Sequence, residues 1–131
     1  MTGARDGARA AGFTLLEVMV ALAVVAIAFT ALLGLHARNL RLAAREEAYT
    51  QSLFLARNLI TEIELGDFPE IGTAEGDFES RHPGEYPDYV WQRRVVGTLF
   101  PDLREVSYRV MPRGRPDAAA DLTLVVRREP T

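Results

Sequence analysis

Between Val18 and Leu35 the chain runs for eighteen residues without a charge, and nothing else in its 131 residues limits the fold as strongly. The apolar run starts earlier, at Phe13, and is interrupted only by Thr14, Glu17, Thr30 and Gly34. At about 1.5 Å rise per residue, a helix of ~20 residues crosses a hydrocarbon core of roughly 30 Å. The run is therefore expected to span a membrane as a helix. Ahead of it, residues 1–12 are small and polar, with Arg5 and Arg9 against Asp6. A basic flank argues that the N-terminus stays cytoplasmic and the rest is exported. Ala26-Ile27-Ala28 also offers a secretory cleavage site. The run continues past that site to Leu35, however, beyond the ~7–15 residue apolar core of such signals. A plain, unprocessed anchor accounts for the length but leaves Glu17 unexplained.

Glu17 lies four residues into the apolar run. An ionised acid at a bilayer centre costs on the order of 2.5–3.5 kcal/mol on insertion scales, and less near the interface. On one reading it snorkels to the headgroups; on the other it waits for a cation. A cut between Gly12 and Phe13 would supply one, a new α-amino group about one helical turn from Glu17. In a packed helical array, the carboxylate of one subunit could then neutralise the amine of its neighbour, and two costly groups would become tolerable together.

The string Gly12-Phe13-Thr14-Leu15-Leu16-Glu17-Val18 resembles the prepilin peptidase motif of type IV pilins and type II secretion pseudopilins. The resemblance implies that a dedicated membrane peptidase cuts after Gly12 and methylates the new N-terminal Phe13. It also implies that Glu17 supports docking into a growing filament. The domains it implies are a leader over 1–12, a transmembrane or filament-core helix over 13–35 and a periplasmic domain over 36–131.

Beyond Leu35 no proline breaks the pattern, so the helix is expected to continue to about Leu65, with Gly66 and Pro69 as stop signals. Gly34 could allow a local bend. Tyr49, Leu53, Ala56, Ile60 and Ile63 recur at intervals of four and three and predict the buried stripe. Residues 66–88 read as loop, punctuated by glycine and proline, with Phe78 in a short strand at most. Strands are predicted over 89–98, 105–111 and 121–127, where apolar and polar residues alternate. The expected fold is α+β and pilin-like: a long N-terminal helix, membrane-spanning in its first half, packed against a small antiparallel sheet. Trp91, the single tryptophan, is expected in the domain's own core.

The order of these pieces is most similar to the I type of minor pseudopilin. The similarity rests on the leader, on Ala56-Arg57-Asn58-Leu59-Ile60, and on the Trp91 strand followed by Val106, Tyr108 and Val110. That resemblance implies a place at the pseudopilus tip, with J-type and K-type pseudopilins and the major pseudopilin as partners. It also implies processing by a prepilin peptidase, contact with inner-membrane lipid, and a part in priming assembly and supporting export across the outer membrane. Minor pilins of type IV or DNA-uptake pili share the architecture, and an unprocessed single-span periplasmic adaptor is the alternative from another class.

The remaining residues offer little chemistry. No nucleophile or ligand stands at a diagnostic spacing from His36 or His82, and no phosphate loop is present, so no catalytic residue, metal ligand or cofactor is expected. Without cysteine there is neither a disulfide framework nor a thiolate site. A net charge of −3 gives no reason to expect nucleic acid. Residues 62–88 hold nine acids and one arginine, Arg81. Glu75, Asp77 and Glu79 could share a strand face and offer oxygens to Ca²⁺, but they match no calcium-loop pattern, and a solvated acidic face is the commoner arrangement. Residues 89–115 carry six arginines, including Arg93 and Arg94. That asymmetry could orient docking between subunits.

Overall fold

Apolar residues all round the first half of the run and on one face of the second favour a single uninterrupted helix. In a computed structural model describing residues 12–129, that helix is α1, Leu15–Leu65, unbroken through Gly34. The leader, apart from Gly12, lies outside the described residues. The chain divides into two compact units, Met1–Leu40 and Arg41–Thr131.

In the first unit every described side chain is exposed. A helix apolar on all sides needs lipid or other subunits around it. Its one hydroxyl past the first turn is already satisfied: Thr30 Oγ1 donates to Ala26 O at 3.0 Å and Ile27 O at 2.8 Å. Such internal bonding lets a threonine sit in hydrocarbon.

The second unit joins the C-terminal part of α1 to a four-stranded antiparallel sheet of order β1-β2-β3-β4: β1 Gly72–Asp77, β2 Tyr89–Gly97, β3 Leu103–Pro112 and β4 Ala120–Arg127. A short 3-10 turn, Pro116–Ala118, links the last two strands. Leu55, Ala56 and Leu59 of the helix pack on Val95, Val106, Tyr108 and Val110 of the sheet, with Phe78 closing one side. This α+β arrangement is the one the sequence predicts.

The buried helix face is turned one residue from the expected stripe. Ala48, Ser52, Leu55, Ala56 and Leu59 are buried, Ile60 and Ile63 line the margin, and Tyr49 is 41% exposed. Ser52 belongs to this face: its hydroxyl donates back to Ala48 O at 3.0 Å and so enters the core without an unpaired group. Counting only apolar residues passes over it and shifts the stripe.

A second correction concerns β1, which occupies a stretch read as loop. Gly-Thr-Ala-Glu-Gly-Asp contains no strong strand former apart from threonine. Its place is set by β2 and above all by Trp91. The core face of β1 carries only Gly72, Ala74 and Gly76, paired with Val95, Arg93 and Trp91. The indole lies over the bare backbone at Gly76 and donates from Nε1 to Asp77 O at 2.8 Å. It meets Tyr108 edge-on at 6.0 Å between centroids and carries the Arg81 guanidinium on its ring at 5.5 Å. Trp91 is thus half-buried at the margin of the core. Phe78 lies just past β1, its ring buried, and its carbonyl accepts from the amides of Arg81 and His82.

A β-carbon at Gly76 would sit 2.9 Å from Trp91 Cζ2, closer than packed carbons approach. With the indole held by its hydrogen bond, Gly76→Ala is expected to destabilise the domain by about 1–2 kcal/mol, overpacking outweighing the gain from a stiffer unfolded chain. Denaturant unfolding followed by the fluorescence of Trp91 reads this directly.

Alternation along β2 also separates Arg93 from Arg94. Arg93 lies on the core face with Trp91 and Val95, its Nε buried without a hydrogen-bond partner among the described residues, whereas Arg94 is exposed on the opposite face. The two do not form one patch. Several neighbouring arginines have local work: Arg109 is bound through two nitrogens to Asp121, Arg115 lies 3.5 Å from Asp117, and Arg104 donates to Pro69 O. Arg104 also stacks on Phe68, as does Arg128, at 4.3 and 4.6 Å. The acidic stretch is likewise partly engaged. Glu62 pairs with Arg81 at 2.9 Å, Asp77 accepts from the Glu79 amide, and Glu79 accepts from the Gly84 amide. Strand β1 ends at Asp77, so Glu75, Asp77 and Glu79 do not line one strand face.

Candidate assembly site

The residues singled out at the start of the apolar run, Gly12, Phe13 and Glu17, lie around the first turn of α1. Thr14 is the residue that organises them. Its Oγ1 accepts from the Glu17 amide at 3.2 Å, and its carbonyl accepts from the Val18 amide, also at 3.2 Å. Thr14 is therefore the helix N-cap and Glu17 the third helical residue, the spacing of a capping box. Reading the residues for charge alone misses this, although Thr-x-x-Glu before an apolar run is its sequence signal.

The cap gives Glu17 a second reason to be where it is. A carboxylate in the first turn faces the positive end of the helix dipole, worth typically ~0.3–1 kcal/mol at an exposed site. That is less than the cost of holding an isolated charge deep in hydrocarbon, so capping alone leaves room for an external cation. The neighbouring side chains are open to such a partner: Phe13 is 84% exposed and Leu16 71%.

Among the described residues Gly12 has no neighbour that excludes a side chain, since a β-carbon there would meet nothing within 4 Å. Over residues 12–14 the backbone is not helical, so the Gly12–Phe13 peptide bond stands before the cap, outside the helical hydrogen-bond ladder. Among the described residues, no group of three or more His, Asp or Glu side chains is arranged to hold a metal ion.

Two comparisons bear on this geometry. A family described as the prokaryotic N-terminal methylation motif matches residues 7–33, the segment holding Gly12, Phe13, the Thr14 cap and Glu17. The type II secretion system protein I of Pseudomonas aeruginosa is 37% identical over 110 residues, covering 82% of each chain. The chain belongs to the type II secretion system protein I family. No solved structure matches it. Membership accords with the fold, in which α1 alone among the described residues is long and apolar enough to cross a membrane. Both the methylation motif and this helix fit a single-pass inner-membrane protein. In a type II secretion system protein I, this exposed apolar helix needs lipid or other subunits around it.

Proposed function

We propose that this chain is a minor pseudopilin that works by assembling, without catalysing a reaction. In this reading a prepilin peptidase cuts between Gly12 and Phe13 and methylates Phe13. Residues 13–35 anchor the subunit in the bacterial inner membrane and later pack in the filament core, while residues 36–131 form the periplasmic domain. Glu17 pairs with the α-amino group of a neighbouring subunit. The subunit joins J-type and K-type pseudopilins and the major pseudopilin at the pseudopilus tip, primes assembly and supports export across the outer membrane.

The observation that carries the reading is the capped Gly12–Glu17 turn leading an all-round apolar helix, inside a chain similar to a type II secretion protein I over most of its length. The N-terminus is assigned to the cytoplasm. Arg38, Arg41 and Arg45 follow the apolar run and do not oppose this, because exported segments longer than ~60 residues cross largely regardless of flanking charge.

Intact mass of the protein from membranes, with and without the host's prepilin peptidase, tests the proposal. Loss of residues 1–12 plus one methyl, seen only with the peptidase, is the expected result. An uncut chain, or one cut after Ala28, would remove the filament-subunit reading and leave an anchored or exported domain.

A further inference from the structure

The two edges of the sheet are built differently. Strand β1 is six residues long, contains Gly72 and Gly76, and carries Glu75 and Asp77 on its outer face. Short length, glycine and charge are the usual ways an edge is kept from pairing. Strand β4 has none of these protections along its middle. It runs eight residues from Ala120 to Arg127 without glycine or proline. Its register with β3 is unbroken from Val110↔Ala120 to Leu103↔Arg127, so no bulge turns it away from a partner. Alternate residues of β4 direct their backbone N–H and C=O away from β3. On that side no further strand pairs among the described residues.

The core is also unfinished there. On β3 the inward side chains Val106, Tyr108 and Val110 are buried, whereas on β4 the inward Leu122, Leu124 and Val126 are only half-buried. Val125, on the opposite face, is 55% exposed.

We propose that β4 is a docking edge that receives an extended strand from another subunit of the secretion assembly, as a fifth strand antiparallel to Ala120–Arg127. The inference rests on the assembly reading above. The backbone selects the occupant: a row of amide and carbonyl groups at a two-residue repeat is matched only by another extended chain. The half-buried row adds that this strand carries apolar residues at alternate positions, which complete the cover over Leu122, Leu124 and Val126. The direction follows from the sheet order. Related domains standing side by side in one orientation bring a first-strand edge against a fourth-strand edge, and in this sheet those two strands run antiparallel. A second copy pairing through its own β4 is a poorer occupant. Antiparallel pairing about Leu124 would set Asp121 opposite Arg127, but Asp121 is already held by two nitrogens of Arg109.

Amide hydrogen exchange on the full-length mature protein, alone in detergent and within the isolated pseudopilus assembly, tests this. Alternate amides of 120–127 are expected to slow by about tenfold or more on assembly, while β1 amides change little. Val125→Lys, on the outer face, is expected to reduce incorporation without lowering unfolding resistance. Leu124→Lys should reduce it further, since an inward charge blocks edge pairing. Unchanged β4 exchange in an assembled, mature chain would overturn the docking edge and leave the assembly reading standing. Uninterrupted protection along β4 already present in the chain alone, or a β4–β4 cross-link between two copies through Leu124→Cys, would overturn it too. A chain that never enters the assembly overturns both, and its intact mass shows whether processing was the step that failed.

Discussion

Glu17→Ala chains will still be cut after Gly12 and anchored in the membrane, but their recovery in the assembled pseudopilus will fall by about tenfold or more. A tenfold loss corresponds to ~1.4 kcal/mol, a modest demand for a charge pair shielded from water. Glu17 is not needed for insertion, because the uncharged run from Val18 to Leu35 has the required length without it. The Thr14 cap offers a competing explanation, in which the mutation only frays the first turn. Glu17→Gln separates the two. Glutamine at the third helical position keeps an oxygen able to complete a capping box but carries no charge. If charge pairing with the neighbouring amine drives assembly, Glu17→Gln will fail as Glu17→Ala does. Recovery of assembly by glutamine would assign Glu17 to capping and remove the inter-subunit pair. Co-purification of the mature chain with its assembly partners, normalised to membrane content, reads both variants.

Glu17 shows which features a sequence exposes. A carboxylate inside an apolar run is costly wherever lipid surrounds it, so it stands out in the order of residues alone. The membrane helix and strands β2, β3 and β4 are legible for the same reason, since burial imposes a period on the residues that form them. Strand β1 is not. Gly72, Ala74 and Gly76 are chosen for the side chains they lack, and only the indole of Trp91 lying on them gives the choice meaning. Ser52 hides the true helix face because its bond to Ala48 O makes a polar residue behave as a core one. Arg93 and Arg94 are neighbours in sequence and opposites in space, so a charge count along the chain does not describe a surface. The Thr14 cap has a sequence signal of its own, which the out-of-place charge of Glu17 overshadows.

That shifted helix face makes a sharp distinction between two leucines six residues apart. Leu59→Ala is expected to destabilise the domain by about 2–5 kcal/mol, and Leu53→Ala by less than about 1 kcal/mol. Leu59 is fully buried among Leu55, Phe78 and the sheet valines, whereas Leu53 is only half-buried and stands outside that cluster. A small domain has a total stability of only ~5–15 kcal/mol, so the loss at Leu59 is a large share of it. Denaturant unfolding of the full chain in detergent, followed at Trp91, measures both. Equal losses at the two positions would restore the stripe through Tyr49, Leu53 and Ile60 and rotate the sheet to another side of α1. The expected inequality has a functional corollary. Leu59→Ala leaves Gly12, Phe13 and Glu17 untouched, so processing should proceed while incorporation falls with the folded fraction. Cleavage would then depend on the first turn of α1 alone, and assembly on that turn together with a folded domain.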